Sequence, residues 1–290
     1  MITRLAIVGV GLMGGSLAIA LRRAGYCREI VGTGRNRANL EQAVALGVID
    51  RFETEPAAAV AGADMVLLAV PLGSVASVVA ALRPGLSDTA ILTDVGSAKG
   101  SVVADITQAL GYLPPRFVPG HPIAGNERSG VSAAFGELYQ GHRVILTPLA
   151  ETEPAALQAV MAMWQTAGAE VETMAVAHHD EILAATSHLP HMLAFALVDS
   201  LARLGDADEI FRYAAGGFRD FTRIASSDPH MWRDICIANR EALGAMFEHF
   251  RNDMLRLEEA VARADGETLS EMFSRAKQAR DRFYQTDPSS

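Results

Sequence analysis

Ile7-Val8-Gly9-Val10-Gly11-Leu12-Met13-Gly14 runs from a short apolar strand straight into Gly-x-Gly-x-x-Gly. Leu17, Ala18, Ala20 and Leu21 follow and can start a helix. In that strand–turn–helix setting each glycine has a task. Gly9 permits the tight turn, Gly11 has no side chain to block a pyrophosphate, and Gly14 lets helix and strand pack closely. The helix N-terminus then offers unpaired N–H groups and a partial positive charge to the anion. The segment predicts a dinucleotide site built from Gly9, Gly11, Leu12, Met13 and Gly14. A packing turn with no ligand is the bland alternative.

Outward from this loop, short β-branched runs alternate with helical stretches. Strands are expected over 5–8, 29–32, 65–70, 90–94, 116–119 and 143–147, with Ala-rich helices such as 40–46 and 75–82 between them. Such alternation means a parallel sheet covered by helices on both faces. One more helix–strand pair is expected over 155–167 and 170–174. From about His179 the chain reads as helix to its end, and the tail over 286–290 is polar. The fold class is therefore α/β: a Rossmann-like doubly wound parallel sheet over 1–175, then an all-helical domain over 176–290. Leu243, Met246, Phe247, Phe250, Met254, Leu257 and Val261 recur at helical spacing. Core is the reading favoured for this stripe, and a dimer contact is the sharper one.

Bulk properties narrow the class. The chain has 290 residues, half of them hydrophobic, enough for two domains with sizeable cores. A net charge of -9 argues against nucleic acid and against an anionic membrane surface. It does not exclude an anionic small molecule, because a local basic pocket outweighs a distant acidic surface. Cys27 and Cys236 form no spaced motif, which fits free thiols in a reducing cytoplasm. No leader is expected, since the glycines and Arg22-Arg23 fit a nucleotide loop better than a signal peptide. The apolar stretch over 65–82 reads as a buried strand and a helix, because Pro71, Gly73, Ser74 and Ser77 interrupt it.

Ligands of such sheets bind beyond the carboxyl ends of the strands. By that rule Val70 and Pro71, ending the strand over 65–70, face the cofactor. The second strand ends in Thr33-Gly34-Arg35-Asn36-Arg37, with Gly34 where an NAD enzyme carries its ribose-binding acid. Arg35 and Arg37 are placed to meet a 2′-phosphate through charge-assisted hydrogen bonds. NADP is the preferred cofactor on this reading and NAD the alternative, with Thr33 beside them at the strand end. Solvated loop arginines would leave the choice open.

Four further segments carry chemistry: Asp94-Val95-Gly96-Ser97-Ala98-Lys99-Gly100, Gly120-His121-Pro122-Ile123-Ala124-Gly125, Ser187-His188-Leu189-Pro190-His191, and 216–232 with Gly217-Phe218-Arg219-Asp220-Phe221-Thr222-Arg223-Ile224-Ala225 at its start. Read singly, each has a plain alternative. The first could be a helix cap, and His121 a structural loop histidine. His188 and His191 have metal-like spacing, but Pro190 and the lack of an acidic or thiol partner argue against zinc, so no metal is expected. His178-His179-Asp180 reads as a helix start. Phe218 and Phe221 predict a partly buried setting for Arg219 and Arg223, one helical turn apart.

Taken together and in order, these segments resemble the prephenate/arogenate (cyclohexadienyl) dehydrogenase family, from Gly9 to about Trp232. The resemblance implies NAD(P)-dependent oxidative decarboxylation of prephenate to 4-hydroxyphenylpyruvate, or of arogenate to tyrosine. It implies that His121 is the catalytic base and that Ser97 helps hold substrate, histidine and nicotinamide together. Arg223 matches the substrate-binding arginine, and Arg219 a position where positive charge is retained. Ser187, His191 and Gly216 match further substrate contacts. Asn126 stands where some relatives have threonine. Trp232 matches an aromatic that can reach the site from the neighbouring subunit, so a cytoplasmic homodimer with the helical domain as its substrate-binding and dimerisation part is expected. A β-hydroxyacid dehydrogenase would place a catalytic lysine on a helix. A pyrroline-carboxylate-type reductase would lack this set of two histidines and two arginines. A non-catalytic NADP-binding sensor would leave Ser97, His121 and the arginines unexplained.

Overall fold

A computed structural model describes residues 1–125 and 128–286. The expected contact of Asn126 lies outside the described residues. In order, the first part of the chain forms β1 (Ile2–Val8), α1 (Leu12–Arg23), β2 (Cys27–Thr33), α2 (Arg37–Ala45), β3 (Arg51–Phe52), α3 (Pro56–Val60), β4 (Met65–Leu68), α4 (Val75–Leu82), β5 (Ile91–Asp94), α5 (Lys99–Leu110) and β6 (Phe117–Val118). These strands make one six-stranded parallel sheet in the order β3-β2-β1-β4-β5-β6. The order reverses at β1, and the ends of β1 and β4 flank the crevice where such sheets bind ligands.

Both faces of this sheet are covered, and the central strands show how. Leu5 and Ile7 of β1, with Met65 and Leu67 of β4, enter one apolar cluster with α1, Tyr139 and Trp164. Ala6 and Val8, with Val66 and Leu68, enter the opposite cluster with Val79, Val102 and Phe117. Successive side chains point to opposite faces, so continuous apolar runs are what a doubly covered strand requires.

A second sheet departs from the expectation of one continuous parallel sheet. β7 (Gly120–Pro122) pairs antiparallel with β8 (Arg143–Leu146), and β8 pairs parallel with β9 (Glu170–Thr173). α6 (Pro154–Thr166) connects β8 to β9. His121, read as lying in a loop just after a strand, is therefore inside a short strand, opposite Ile145.

The remaining chain is helical: α7 (Val176–Leu183), a π-helical turn (Ala184–His188), α8 (Leu189–Ala202), α9 (Ala207–Arg212), α10 (Gly216–Thr222), a 3₁₀ turn (Arg223–Ser226), α11 (Pro229–Ala238), α12 (Arg240–Ala262) and α13 (Gly266–Thr286). Among the described residues one helical run, Val176–Ala202, is long and apolar enough to cross a membrane. That run carries Asp180, three histidines of the candidate site and a π-helical turn, which fits a helix serving a polar site. The stretch over 65–82 is, as expected, strand β4 and helix α4.

The sequence division at 175/176 follows the end of the β signal, whereas the compact units are Met1–Ala242 and Leu243–Ser290. The first unit includes α7, which packs on α5, and α11, which packs on the 3₁₀ turn Leu72–Ser74. In the second, the apolar stripe of α12 is not the core it was read as. Leu243 is buried, but Met254 is 48% exposed and Val261 66% exposed. A period-3.6 stripe marks a face that wants an apolar partner; it does not say that the partner lies in the same chain.

Candidate active site

The glycine loop has the geometry its sequence predicts. Gly9 has φ +97°, and a Cβ there would stand 2.2 Å from the Ala69 carbonyl oxygen. A Cβ on Gly14 would meet the Gly9 carbonyl oxygen at 2.6 Å. Gly11, in contrast, has nothing within 4 Å of its would-be Cβ. It is the N-cap of α1 and supplies no capping side chain, so the amides of Leu12, Met13 and Gly14 in the first turn are left for an outside acceptor, the Gly15 amide being the first to bond within the chain, to the Gly11 carbonyl. An open cradle at a helix N-terminus fits a dinucleotide pyrophosphate. Asn39 braces the loop: its Nδ2 donates to the Val10 carbonyl at 2.7 Å. Val70 and Pro71 follow β4 on the same side.

Thr33 ends β2 and its carbonyl accepts from the Gly9 amide at 2.8 Å. Arg35 is exposed in the following turn. Arg37 starts α2, donates to Glu41 at 2.8 Å and lies over the Phe52 ring at 5.7 Å. Asn36, between them, caps α2 by accepting from the Asn39 amide. No carboxylate occupies the turn from Thr33 to Arg37.

The first two chemistry-bearing segments, 94–100 and 120–125, meet at the carboxyl ends of β5 and β6. Asp94, the last residue of β5, is buried and accepts from the amides of Gly96 at 2.7 Å and Gly120 at 3.1 Å. Lys99, the first residue of α5, is fully buried and donates to both the Asp94 carboxylate and the Gly120 carbonyl. Burial pulls the Lys99 ammonium below its ordinary range, against the opposing pull of Asp94. This buried pair fastens the loop bearing Ser97 to the strand bearing His121. Ser97 itself is half-buried within that loop.

His121 Nδ1 lies 2.9 Å from Nε2 of His179, a fully buried residue of α7. His179 Nδ1 lies 2.8 Å from Asp180 Oδ1. The Asp180 carboxylate also accepts the first two amides of α5, from Lys99 and Gly100, both at 2.8 Å. Burial pushes Asp180 up, but its hydrogen bonds from His179, Lys99 and Gly100 prevail and hold it below the usual carboxylate range. Burial, then the neighbouring His179, Lys99 and His188, hold His121 well below the ordinary histidine range. His121 is therefore uncharged at neutral pH and keeps a ring lone pair.

The helical segments supply a second group of residues. Ser187 and His188 occupy the π-helical turn, a feature common at functional sites. His188 is fully buried, accepts from Asn239 Nδ2 at 3.0 Å, and has a pKa brought down to about 4, chiefly by burial. His191 Nδ1 donates to the Ser187 carbonyl at 2.8 Å, and its ring stacks on Trp232 at 3.6 Å. Each of these histidines thus has its Nδ1 engaged by the protein. Arg223 lies near enough to His191 to lower its pKa, behind the larger effect of burial, because the turn Arg223–Ser226 packs on α8.

Three expectations need correction. Arg219 and Arg223 are both exposed, because the aromatic neighbour Phe221 is itself 47% exposed and gives them no cover. Trp232 is buried against His191 of its own chain, since α11 packs on the turn Leu72–Ser74 of the same unit. Its stacking on His191 is thus made within one chain. The helix start at His178-His179-Asp180 holds, but His179 and Asp180 are also part of the site. Gly216 begins α10, and Arg219 lies within it, on the segment that leads to Arg223.

Sequence reading missed Lys99, His179, Asp180 and Asn239. An acid directly after two histidines at a helix start was the available signal for Asp180 and His179. Lys99 lies five residues after its partner Asp94, inside a segment already marked, whereas Asn239 offered no signal, because its partners Asp180 and His188 are 59 and 51 positions away.

Two family models match this chain. One, described as "Prephenate dehydrogenase, nucleotide-binding domain", covers residues 17–173; the other, "Prephenate dehydrogenase, dimerization domain", covers 175–275. The chain is 38% identical to a cyclohexadienyl dehydrogenase of Zymomonas mobilis over 95% of its own length and 94% of that protein. The structure of a prephenate dehydrogenase from A. aeolicus, solved with hydroxyphenyl propionate and NAD+, is similar at a TM-score of 0.90 and 40% identity. That similarity covers 98% of this chain and 99% of the other. A Synechocystis arogenate dehydrogenase is similar at a TM-score of 0.82 and 28% identity, covering 97% of this chain and all of the other.

Proposed function

The chain belongs to the prephenate dehydrogenase family, and from that premise and the site's geometry we propose that it oxidatively decarboxylates prephenate, accepting arogenate as well, with NADP preferred over NAD. The observation that carries this reading is the uncharged ring of His121, held by a hydrogen bond in a strand beyond the carboxyl ends of the parallel sheet. A neutral imidazole there is the base this reaction needs.

The residues divide the work. His121 takes the hydroxyl proton of the substrate as that carbon gives up hydride. The ring then loses carbon dioxide and becomes aromatic. Ser97, on the loop fastened by Lys99 and Asp94, orients substrate and base; its hydroxyl can both donate and accept. Arg223 binds a substrate carboxylate through its planar fork, with Arg219 adding positive charge. Ser187, His191, Gly216 and Trp232 complete the substrate side, with Asn126 as a further contact. Gly9, Gly11, Leu12, Met13, Gly14, Val70 and Pro71 hold the dinucleotide, which when bound supplies the hydride acceptor.

The NADP preference rests on Arg35, exposed beside Thr33 in a turn that has no ribose-binding acid. Arg37 supports it less, because Glu41 already engages it. The prephenate preference rests on the sequence alone, in which no acidic residue stands out as a sure partner for the ammonium of arogenate. Homodimerisation is supported by the match to a dimerization domain and by the exposed apolar positions Met254, Leu255, Val261 and Phe273.

Absorbance of the reduced cofactor tests the reading when prephenate or arogenate is added with NADP or NAD. Turnover of prephenate is expected, with kcat/KM higher for NADP. No turnover of either acid would reject the activity. A preference for NAD of about ten-fold or more, roughly 1.4 kcal/mol, would reject the cofactor assignment.

A further inference from the structure

The contacts around His121 fix more than its position. Asp180 accepts from two backbone amides, and an ionised carboxylate has only lone pairs to offer. The proton in the 2.8 Å contact between Asp180 and His179 therefore belongs to His179 Nδ1. In its neutral form His179 carries one N–H, and with that proton facing Asp180 its Nε2 is a bare lone pair. His121 Nδ1, 2.9 Å away, must then bring the proton to that contact. Its other nitrogen, Nε2, is left as the lone pair.

We propose that His179 and Asp180 are positioning residues that lock His121 in its Nδ1–H tautomer, so that Nε2 is the atom that receives the substrate's hydroxyl proton. This rests on the reading of His121 as the base. His179 turns the orientation of one carboxylate on α7 into the tautomer of a residue in β7. When His121 takes up the proton, its Nδ1–H still points at a lone pair backed by a carboxylate, and the imidazolium is stabilised without moving. Asp180 is itself fixed because the same oxygens cap α5, the helix that carries Lys99. The second imidazole extends the reach of the carboxylate by one ring, as an acid orients a catalytic histidine directly in other enzymes.

The test uses the full chain with ¹⁵N-labelled histidine. Long-range ¹H–¹⁵N correlation spectra at neutral pH distinguish the two neutral tautomers, and His121→Asn identifies the His121 signals. The expected result is a His121 proton on Nδ1 in the unaltered protein. His179→Phe removes the acceptor, and kcat for prephenate is expected to fall about 100-fold, the scale of one misdirected general base, with KM nearly unchanged. His179→Gln places an amide oxygen where Nε2 stood, and should recover most of kcat and the Nδ1–H signal. If His179→Phe does not fold, as its Tm would reveal, the native spectrum and the Gln variant still decide. A His121 proton on Nε2 in the unaltered protein overturns the proposal, as does a Phe variant with near-normal kcat or a Gln variant as impaired as Phe. The two readings fail separately. Nδ1–H without turnover of any cyclohexadienyl acid would reject the substrate and leave the lock standing. Turnover with Nε2–H would do the reverse.

Discussion

His121 lies among groups that all disfavour its charged form: burial first, then His179, Lys99 and His188. A base whose pKa is lowered stays deprotonated further into acid. The acid limb of kcat/KM should therefore fall below 6.5, the ordinary histidine value, with activity lost only as pH drops through the lowered pKa. A pH–rate profile whose acid limb sits at or above 6.5 would contradict this. Arg223 has a different task. It is exposed, beside His191, and its contact with a carboxylate would form in ground and transition states alike. Arg223→Ala should raise KM for prephenate at least about ten-fold with kcat little changed, the loss expected for one charged hydrogen bond. Steady-state kinetics check it, and a defect confined to kcat would contradict it. At this scale the sequence marked His121, Ser97 and Arg223 by residue type and neighbouring glycines. His179, with only the neighbouring acid as a local signal, read as part of a helix start, because the contact that makes it matter spans 58 positions of chain.

The turn between β1 and α1 separates two roles of glycine. At Gly9 the backbone is left-handed and Ala69 stands against the missing Cβ. Gly9→Ala should cost about 2 kcal/mol or more in stability, read by chemical denaturation. At Gly11 the space is open. Gly11→Ala should leave Tm unchanged and weaken NADP binding by roughly ten-fold, since the added methyl occupies the pyrophosphate cradle. Equal loss of stability in both variants would contradict the distinction. The long elements were legible here: β1, β2 and β4 from apolar runs, and α4 from a stretch of valine and alanine without a breaker. β7 was not, because Gly-His-Pro carries no alternating pattern and is a strand only through its pairing with β8. The π-helical turn at Ala184–His188 was also silent. Its residues fit an ordinary helix, and only packing decides where one extra residue is inserted.

Across the whole molecule, several histidines are held neutral inside the fold. His188 is the clearest case, fully buried with a pKa near 4 against 6.5 when exposed. The unfolded chain then binds more protons than the native one between these values. The stability this group contributes is complete above 6.5 and lost as pH falls toward about 4. His188 alone should remove about 3 kcal/mol over that interval, with His121 and His191 acting in the same direction. Urea titrations at pH 7 and pH 4 measure it; stability that is flat or rises toward acid would contradict it. The layered α/β architecture and the helical end were readable from period alone. How the chain divides into compact units was not, since α7 and α11 belong with the sheets through packing that no local signal announces. The exposed stripe of α12 has the same origin, because a pattern names a buried face without naming its partner.

The proposed reaction depends on a neutral His121 that takes one proton from one hydroxyl. Its most direct test compares unaltered protein with His121→Asn, measuring kcat for prephenate with NADP and prephenate binding by calorimetry. A fall in kcat of at least about 100-fold with binding nearly intact is predicted, the contribution of a single positioned base. Near-normal turnover in the Asn variant would contradict it.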